Sequence, residues 1–354
     1  MRGNVEPKGK PMRGKRKIRV AVIGAGFAGR GHLKAYKSTE LAEVIAICDV
    51  EKERAQAAAA EFGVPKVFTD YQELLQIEEL DAVSVCVPNV FHMPVTVAAL
   101  QVGKHVLCEK PLATSSAEAE KMVKTAEKTG RWLAMPLQFR LTGSSRLLKE
   151  KIENGELGEV HYVKSGILRQ DAIPRGWFHV KKLAGGGAVL DLGSHAVDLA
   201  WWLMGRPKPV WVWGVTLSKL GPLGKGIGKW GVGFGEGKVD VEETGNALIK
   251  FEEDRALFVE VSWALQLESP RVMYCELFGT QGWASLFPSI RIKKEGGAVE
   301  TPAIGEDQSP HVQFIQSLSQ GVEPPISGRD GLEVIRMLDA IYQSARTGRA
   351  VRLG

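Results

Sequence analysis

The chain has 354 residues, of which 44% are hydrophobic and 25% are charged, a composition typical of folded globular proteins and not of long disordered chains. Its four cysteines include no Cys-x-x-Cys pair, which excludes a disulfide-stabilised scaffold and a cysteine-based zinc finger. No uninterrupted apolar run approaches the ~18 residues that a membrane-spanning helix needs, so we expect no membrane partner.

The net charge of +5 is concentrated at the start of the chain. Seven of the 46 basic residues and one of the 41 acidic residues lie within residues 1–17, so the remainder carries a net charge of −1. Residues 1–17 therefore predict a flexible basic tail, and an arm with a binding role is the alternative. Because a nucleic-acid-binding domain needs a basic face, we expect no nucleic-acid partner.

The first apolar run, VAVIGAG, follows the basic residues KRKIR, an order also found in secretory signal peptides. This run is short and is broken by glycine, so a buried strand explains it better than a signal peptide does. We therefore expect a cytoplasmic protein.

Short apolar runs alternate with longer amphipathic or alanine-rich runs between residues 18 and 138. The short runs are rich in β-branched residues and predict buried strands, and the longer ones predict helices. Strict alternation of this kind is typical of a doubly wound parallel sheet that helices cover on both faces. The predicted strands are 18–24, 43–49, 66–70, 81–88, 105–111 and 132–138, and the helices between them run to 37, over 51–62, from 71, over 91–103 and over 115–130.

After residue 138 the pattern changes to alternating strands joined by short polar turns, which is typical of an antiparallel sheet. We predict an α+β domain over 139–354 that binds the substrate and mediates oligomerisation, so that the chain as a whole is α/β. A loop at 221–237, with eight glycines in 17 residues, matches no motif. The predicted helices are 144–154, 192–204 and 331–348, and the predicted strands are 159–169, 210–218, a hairpin within 243–265, and 271–280.

The motif GAGFAG follows the first predicted strand and opens a helix, which is the context in which Gly-x-Gly-x-x-Gly binds a dinucleotide. Gly24 suits the tight turn, Gly26 allows the backbone to approach a pyrophosphate, and Gly29 allows close packing of helix and strand. Phe27 and Ala28 begin the helix, where free N–H groups favour phosphates. The motif predicts a Rossmann dinucleotide-binding domain over 18–138, and a glycine turn without a ligand is the alternative.

Asp49 ends the second predicted strand, 20 residues after Gly29. Dinucleotide-binding domains carry an acidic residue at about this distance, and it binds the ribose hydroxyls of NAD. The carboxylate would repel the 2′-phosphate of NADP, so we expect NAD as the cofactor. Arg54 lies close along the chain and keeps NADP possible.

The motif CEKP, at 108–111, ends the fifth predicted strand. Ligands of open parallel sheets bind beyond the carboxyl ends of the strands, so Glu109 and Lys110 are expected to face the cofactor. A partly desolvated lysine beside an acid can hold or release a proton near neutral pH. A solvent-exposed lysine without a role is the alternative.

The segment GGGAVLDLGSHAVDLAWWL, at 185–203, contains Asp191, His195 and Asp198. If Asp191 opens the predicted helix, helical spacing places it on one face with His195, with Asp198 near that face. A carboxylate beside an imidazole orients it for general acid–base catalysis. Three alternatives are a helix-capping role for Asp191, a buried structural His195, and a metal site formed by all three residues. Because no further His/Cys cluster accompanies the segment, we expect no metal.

These motifs, in this order, resemble the Gfo/Idh/MocA family of nicotinamide-dependent sugar and cyclitol oxidoreductases. The resemblance covers about residues 18–353, and its strength is the joint occurrence of the glycine motif, Glu-Lys-Pro and the Asp/His helix. The matching segments are VIGAGFAG (22–29), ICD (47–49), VPNVFHMPV (87–95), GKHVLCEKPLA (103–113), GGGAVLDLGSHAVDLAWWLMG (185–205) and SARTGRAVRL (344–353).

The resemblance implies that Lys110 lies by the nicotinamide and the reacting oxygen, and that Asp191 and His195 complete a catalytic set. It also implies a cis Lys110–Pro111 peptide bond. Trp177, before the three glycines, is a candidate for stacking on a sugar, and a packing role is the alternative. The expected cofactor contacts beyond the glycine motif and Asp49 are Pro88, Asn89, His92, Glu109 and Lys110.

The function that this resemblance implies is hydride transfer between NAD(P) and a secondary ring hydroxyl or ketone of a sugar or an inositol-like cyclitol. Lys110, Trp177, Asp191 and His195 would contact the substrate. Two alternatives are an NAD-dependent, redox-assisted glycoside hydrolase and a non-catalytic dinucleotide-binding regulator; the presence of Lys110, Asp191 and His195 together argues against the regulator. By family analogy we expect a homodimer or homotetramer.

Overall fold

The computed structural model describes residues 16–229, 231 and 238–354. Most of the predicted basic tail and part of the glycine-rich loop therefore lie outside the described residues. The chain divides into two compact units. The first extends to Pro136 and includes Ser309–Leu332, and the second comprises Leu137–Gln308 and Glu333–Gly354.

The strands and helices of both units are as follows in chain order. The strands are β1 Ile18–Ile23, β2 Ala42–Cys48, β3 Lys66–Phe68, β4 Ala82–Val85, β5 His105–Cys108, β6 Leu133–Ala134, β7 Val160–Arg169, β8 Pro209–Leu217, β9 Thr244–Phe251, β10 Ala256–Ser262, β11 Arg271–Gly279, β12 Gly282–Ser285, β13 Arg291–Lys294, β14 Val299–Glu300 and β15 Val351–Arg352. The α-helices are α1 Phe27–Lys37, α2 Lys52–Phe62, α3 Tyr71–Leu75, α4 His92–Gln101, α5 Ser116–Thr129, α6 Gly143–Glu153, α7 Lys181–Ala184, α8 Ala188–Asp191, α9 Gly193–Leu203, α10 Pro310–Gln320 and α11 Gly328–Thr347.

The described residues of the first unit form a six-stranded sheet in the order β3-β2-β1-β4-β5-β6. All of its described strand pairs are parallel, and the order is that of a Rossmann domain. All four residues of β4 are buried, as expected for a central strand with helices on both faces. The predicted doubly wound domain is therefore confirmed.

The sixth strand is shorter than predicted, at two residues instead of 132–138. Beyond it the backbone turns to a different partner, because Met135 N–H donates to the Ile326 carbonyl and Ala134 forms an isolated bridge with Ser327. An apolar run in the sequence cannot distinguish these two kinds of pairing.

Helix α10 belongs to the first unit, whereas the sequence-based division placed every residue from 139 onward in the second domain. Its apolar face carries Phe314, Ile315 and Leu318 into the hydrophobic core that also contains Val20 and Val22 of β1. Burial of this face explains why the chain returns to the first unit near its end.

The described residues of the second unit form a nine-stranded sheet in the order β14-β13-β12-β11-β7-β10-β9-β8-β15. Among the described strand pairs, β7–β10 is parallel and the others are antiparallel. This confirms the predicted, mostly antiparallel sheet. Helix α9 packs on β7 and β10 and therefore covers one face of the sheet.

The predicted helix over 192–204 is α9, and a separate short helix, α8, precedes it and ends at Asp191. Gly187 starts α8 at a crowded point, because a Cβ there would lie 1.9 Å from the carbonyl oxygen of Glu242. No helix in the described ranges 16–229 and 238–354 is long and apolar enough to cross a membrane.

Candidate active site

The glycine turn of the first unit joins β1 to α1, and its three glycines have different surroundings. Gly24 has a φ of +101°, and a Cβ there would lie 2.2 Å from the Cys86 carbonyl oxygen. A Cβ on Gly29 would lie 1.8 Å from the Gly24 carbonyl oxygen, whereas no described atom lies within 4 Å of the Cβ position of Gly26. Two of the glycines therefore serve local packing, and Gly26 borders open space.

That open space lies at the start of α1, which has no side-chain cap among the described residues. The first-turn N–H groups, with the positive end of the helix dipole, are therefore suited to a pyrophosphate. This turn contains Phe27 and Ala28. Phe27 is 92% exposed.

Asp49 lies beside the same turn and is buried. Its Oδ2 accepts a hydrogen bond from Ala25 N–H at 2.8 Å, and its Oδ1 accepts one from Glu51 N–H at 2.9 Å. A carboxylate has further lone pairs on both oxygens, so Asp49 can accept ribose hydroxyls as well. Arg54 contacts both Asp49, at 3.4 Å, and Glu51, at 2.5 Å. Because two carboxylates share Arg54, a 2′-phosphate would meet negative charge here.

Exposed apolar side chains follow three neighbouring strands of the Rossmann sheet at their carboxyl ends. They are Phe27 after β1, Val50 after β2 and Phe91 after β4, with exposures of 92%, 73% and 46%. Ligands of such sheets bind at this edge, and the flat rings of NAD can cover apolar surface. The open glycine turn, Asp49 and these side chains together fit a dinucleotide.

Lys110 follows β5 at this edge and is half-buried, and its peptide bond to Pro111 is cis, as the resemblance implied. The Glu109 carboxylate accepts hydrogen bonds from Lys110 N–H at 3.0 Å and from Nε2 of His32 at 2.9 Å. Burial raises the pKa of Glu109, but the hydrogen bond and the charge of His32, together with the charge of Lys110, outweigh burial and lower the pKa to about 2.

His92 contacts the backbone of two loops, the one that follows β4 and the one that follows β5 and contains Lys110. It is 1% exposed, and its Nδ1 and Nε2 lie 2.7 Å from the Pro111 carbonyl oxygen and 2.9 Å from that of Val87. Burial lowers the pKa of His92, although both backbone contacts raise it. His92 was predicted to contact the cofactor, and in the structure its ring bridges two backbone carbonyls. Pro88 caps a short 3-10 helix whose first residue is the buried Asn89.

Asp191 is the last residue of α8 and is buried in the second unit. Its Oδ2 accepts a hydrogen bond from Nε1 of Trp263 at 2.8 Å. Leu192, and not Asp191, is the N-cap of α9, so the capping alternative does not apply. Burial lowers the pKa of Arg169, and the negative charge of Asp191 partly offsets this shift.

His195 lies in the first turn of α9, buried, with its ring centroid 5.1 Å from that of Phe139. Asp198, which was expected near the His195 face, is paired with the buried Arg140. Arg140 Nε donates to Asp198 Oδ2 at 2.9 Å, and its Nη2 donates to Oδ1. Because Arg140 binds both oxygens of Asp198 and offsets its negative charge, this pairing disfavours the Asp/His/Asp metal alternative.

Trp177 lies in a 3-10 helix, Gly176–His179, and its ring stacks on Phe178 with centroids 3.9 Å apart. The segment before it pairs with part of the glycine-rich loop. Ile173 N–H donates to the Gly226 carbonyl, and Arg175 Nε donates to the Gly228 carbonyl at 2.9 Å. The described part of the loop therefore packs along the chain that leads to Trp177.

Two residues that the sequence reasoning missed hold the segment before Asp191. The Glu242 carboxylate accepts hydrogen bonds from the N–H groups of Gly187 and Val189, each at 3.0 Å, and from the Tyr342 hydroxyl at 2.8 Å. It therefore caps α8. Burial raises the pKa of Glu242, although these hydrogen bonds lower it. No sequence signal links residues this far apart along the chain.

One cluster among the described residues has the geometry to hold a metal ion. It consists of His32, Glu109 and His311, whose nitrogen and oxygen atoms lie within 4.8 Å of one another. However, both ring nitrogens of His32 already have partners, Ser84 Oγ and Glu109 Oε1, each at 2.9 Å. The second oxygen of Glu109 binds the Lys110 amide. We therefore interpret the cluster as a hydrogen-bonded network.

Comparison with known proteins decides the family. Residues 18–136 match a family model described as "Oxidoreductase family, NAD-binding Rossmann fold", and residues 145–285 match one described as "GFO/IDH/MocA C-terminal domain". The chain belongs to the GFO/IDH/MocA oxidoreductase family. The family, the Rossmann fold, the NAD cofactor and the class of enzyme, a dehydrogenase, were all predicted from the sequence and are confirmed.

Relatives of this GFO/IDH/MocA member match along nearly the whole chain. D-glucoside 3-dehydrogenase of Escherichia coli (strain K12) is 34% identical over 345 residues, 95% of this chain and 97% of that protein. Myo-inositol 2-dehydrogenase of Thermotoga maritima is 27% identical over 358 residues, with 95% and 98% covered. A structure of levoglucosan dehydrogenase with NADH and L-sorbose has a TM-score of 0.84 at 23% identity and covers 96% of this chain and 99% of that chain, which supports the fold.

Proposed function

We propose that this GFO/IDH/MocA oxidoreductase oxidises a secondary ring hydroxyl of a sugar or cyclitol and reduces the ketone in the reverse direction. The observation that carries the proposal is the 34% identity to D-glucoside 3-dehydrogenase across 95% of the chain, in a sequence that has Lys110, Asp191 and His195. Because D-glucoside 3-dehydrogenase acts on a glucoside, a glucoside is the first substrate to test.

The cofactor and the protein have different chemical roles in the candidate reaction. NAD, when bound, supplies the acceptor or donor of hydride. His195 accepts the hydroxyl proton in oxidation and returns it in reduction. The half-buried Lys110 ammonium stabilises negative charge on the reacting oxygen, because a cation that is already in position needs no reorganisation during the reaction.

Asp191 keeps the His195 imidazole oriented and favours its charged form after proton transfer. The Trp263 N–H group bonds one carboxylate oxygen, so the carboxylate has a fixed direction. The positive charge of Arg169, at the end of β7, interacts with the negative charge of Asp191. Trp177, already stacked on Phe178, offers an aromatic face for the apolar side of a sugar ring.

The deciding experiment is a substrate panel followed at the nicotinamide absorbance. Methyl glucosides, free aldoses, inositols and their ketones are each offered with NAD or NADH. Formation of equal amounts of keto product and NADH supports the dehydrogenase. Release of a free sugar without net NADH favours the redox-assisted glycoside hydrolase, and NADH binding without turnover of any panel member favours a regulator.

We also propose that the enzyme is a homodimer or homotetramer that associates through the second sheet. Trp213 and Leu248 are directly opposite each other on β8 and β9 and are 47% and 36% exposed. The neighbouring Gly214 faces Ile341 of α11, so Trp213 lies on the opposite face. An exposed apolar cross-strand pair on a sheet face favours association. Light scattering on Trp213→Glu, with Val322→Glu as a surface control, should show smaller particles for the first variant alone.

A further inference from the structure

Four elements of the first unit bring polar side chains together next to the backbone of Lys110. Helix α1 contributes His32, β4 contributes Ser84, the end of β5 contributes Glu109, and the first turn of α10 contributes His311. His32 lies at the centre and is 1% exposed. Nothing in the proposed reaction uses this cluster, although it adjoins the lysine.

The Glu109 carboxylate connects this cluster to the main chain of Lys110. One oxygen accepts from His32 Nε2 at 2.9 Å, and the other accepts from Lys110 N–H at 3.0 Å. A carboxylate held at both oxygens has little freedom to rotate, and hydrogen bonds to a charged acceptor are stronger than neutral ones. The position of the Lys110 amide therefore depends on where His32 holds the carboxylate.

His32 is also held at its other ring nitrogen, and it packs against a second histidine ring. Its Nδ1 lies 2.9 Å from Ser84 Oγ, which lies 2.6 Å from the Tyr36 hydroxyl. The His311 ring meets it edge to face, with centroids 4.0 Å apart. Both ring nitrogens have hydrogen-bond partners, so the imidazole is held in the orientation that directs Nε2 at Glu109.

We propose that His32 and Glu109 are positioning residues for Lys110. The His32–Glu109 pair joins α1, the helix that begins at the dinucleotide turn, to the backbone of the lysine. The pair therefore fixes the position of the Lys110 backbone relative to α1, the helix whose first turn is suited to bind the cofactor. This inference rests on the proposed function in one respect, the catalytic role of Lys110.

The first experiment measures the Lys110 amide directly and needs no substrate. Hydrogen exchange is followed at this amide, by single-residue mass spectrometry, in the wild type and in His32→Leu and His32→Gln. Loss of a hydrogen bond to a charged acceptor should accelerate exchange at Lys110 about 10-fold in His32→Leu. His32→Gln, whose amide can still donate to Glu109, should restore most of the protection. Amides of α5 serve as the internal reference.

An unchanged exchange rate at Lys110 in His32→Leu would overturn the proposal. Equal acceleration throughout the first unit would also overturn it, because it would indicate a general loss of stability. Should His32→Leu fail to fold, Glu109→Ala gives the same measurement, since it removes the acceptor itself. NADH fluorescence verifies that each variant still binds the cofactor.

The second experiment is a double-mutant cycle on turnover, with methyl β-D-glucoside and NAD as probes. His32→Leu should lower kcat about 10- to 100-fold in the wild-type background, because small displacements of a reacting group cost that much. In the Lys110→Ala background, His32→Leu should lower kcat less than about 3-fold, because the lysine side chain that His32 positions is absent. The KM for NAD should stay within about 3-fold. Glu79→Gln, on an exposed ion pair with Lys66, is the matched control.

Failure of this inference and failure of the proposed function give different results. If Lys110 is not catalytic, Lys110→Ala retains near-normal turnover, independently of the result for His32→Leu. If Lys110 is catalytic and His32 does not position it, Lys110→Ala loses turnover, whereas His32→Leu has the same effect on kcat in both backgrounds or none.

Discussion

The two groups of candidate catalytic residues are held in contrasting ways. In the first unit, Lys110 is held through its main chain by a charged acceptor, Glu109, that His32 also binds. In the second unit, the side chain of Asp191 accepts a hydrogen bond from a neutral donor, Trp263. The contact seen for the lysine is therefore made by its backbone, whereas the contact seen for the aspartate is made by its side chain. Disruption of each arrangement should have a different signature.

The largest effect is expected from Lys110→Ala. Loss of the ammonium group removes charge stabilisation from the reacting oxygen, so kcat should fall about 100- to 1,000-fold. NADH binding, measured by fluorescence, should remain, because the glycine turn and Asp49 are intact. Lys124→Ala, on an exposed ion pair with Glu120, is the control. Turnover near that of the wild type would remove Lys110 from the catalytic set.

Asp49→Asn tests the ribose side of the first unit. The amide oxygen can still accept the Ala25 N–H bond, but the negative charge is lost and Arg54 becomes available to a 2′-phosphate. The ratio of kcat/KM for NAD to that for NADP should fall about 10-fold, equivalent to about 1.4 kcal/mol. Glu51→Gln is the comparison, since it frees Arg54 and keeps Asp49. An unchanged ratio in both variants would show that neither carboxylate selects the cofactor.

Trp263→Phe tests the hydrogen bond from Trp263 to Asp191 in the second unit. Phenylalanine keeps most of the aromatic volume and removes the N–H donor, so kcat should fall about 10-fold while KM for NAD is unchanged. Trp283→Phe, in the same sheet but half-exposed, should behave as the wild type. Equal kcat in Trp263→Phe and wild type would mean that Asp191 needs no donor from Trp263.

Tyr342→Phe tests the cap of α8. The Glu242 carboxylate would lose one hydrogen bond in a buried position, which should lower the free energy of unfolding by about 1–2 kcal/mol. Thermal unfolding of Tyr342→Phe and of Tyr71→Phe, a control in the other unit, measures the difference. A melting temperature equal to that of the wild type would show that the two backbone N–H groups are sufficient for Glu242.

The smallest expected effect concerns acid stability and His311. Burial, reinforced by the charge of His32, lowers the pKa of His311 from 6.5 to about 3. Between pH 6.5 and about pH 3 the unfolded chain binds a proton at His311 that the folded protein does not bind. Protonation of His311 therefore does not lower the free energy of unfolding above pH 6.5, and it lowers it progressively as the pH falls toward 3. At one pH unit below 6.5 the loss is on the order of 1 kcal/mol.

His311→Gln should therefore lose less stability than the wild type on acidification from about pH 7 to about pH 5. Burial also lowers the pKa of His105, to about 4, so part of the acid sensitivity should remain in the variant. His161→Gln, at an exposed position on β7, is the control and should follow the wild type. Parallel curves for all three proteins would contradict the assignment to His311.

Local sequence patterns were sufficient for the parts of the fold that depend on neighbouring residues. Alternating apolar and amphipathic runs predicted the Rossmann sheet, since buried parallel strands require continuous apolar sequence. The glycine turn was predicted from its motif between a strand and a helix, and the structure shows that Gly24 and Gly29 leave no room for a Cβ. In the second unit, polar turns between alternating strands predicted the antiparallel sheet. The parallel pairing of β7 with β10 had no local signal.

The long-range partners of the candidate site could not be predicted in this way. Asp198 had the correct helical spacing from His195, yet Arg140, 58 residues earlier, pairs with its carboxylate. Trp263 and Glu242 lie far along the chain from the segment that they hold. Sequence spacing reports which residues share a helix face, and it does not report which element packs on that face.

The sequence by itself determined the class of this protein. Its motifs place a glycine turn, an acid, a lysine and an Asp/His helix at the ends of regular elements, and those positions follow from local steric and hydrogen-bonding rules. Only the tertiary structure decided how the side chains are held: Lys110 through Glu109 and His32, Asp191 by Trp263, and α10 as part of the first unit. The physical reason is that buried polar groups and apolar faces must find partners wherever packing brings them, and packing joins residues that the chain order separates.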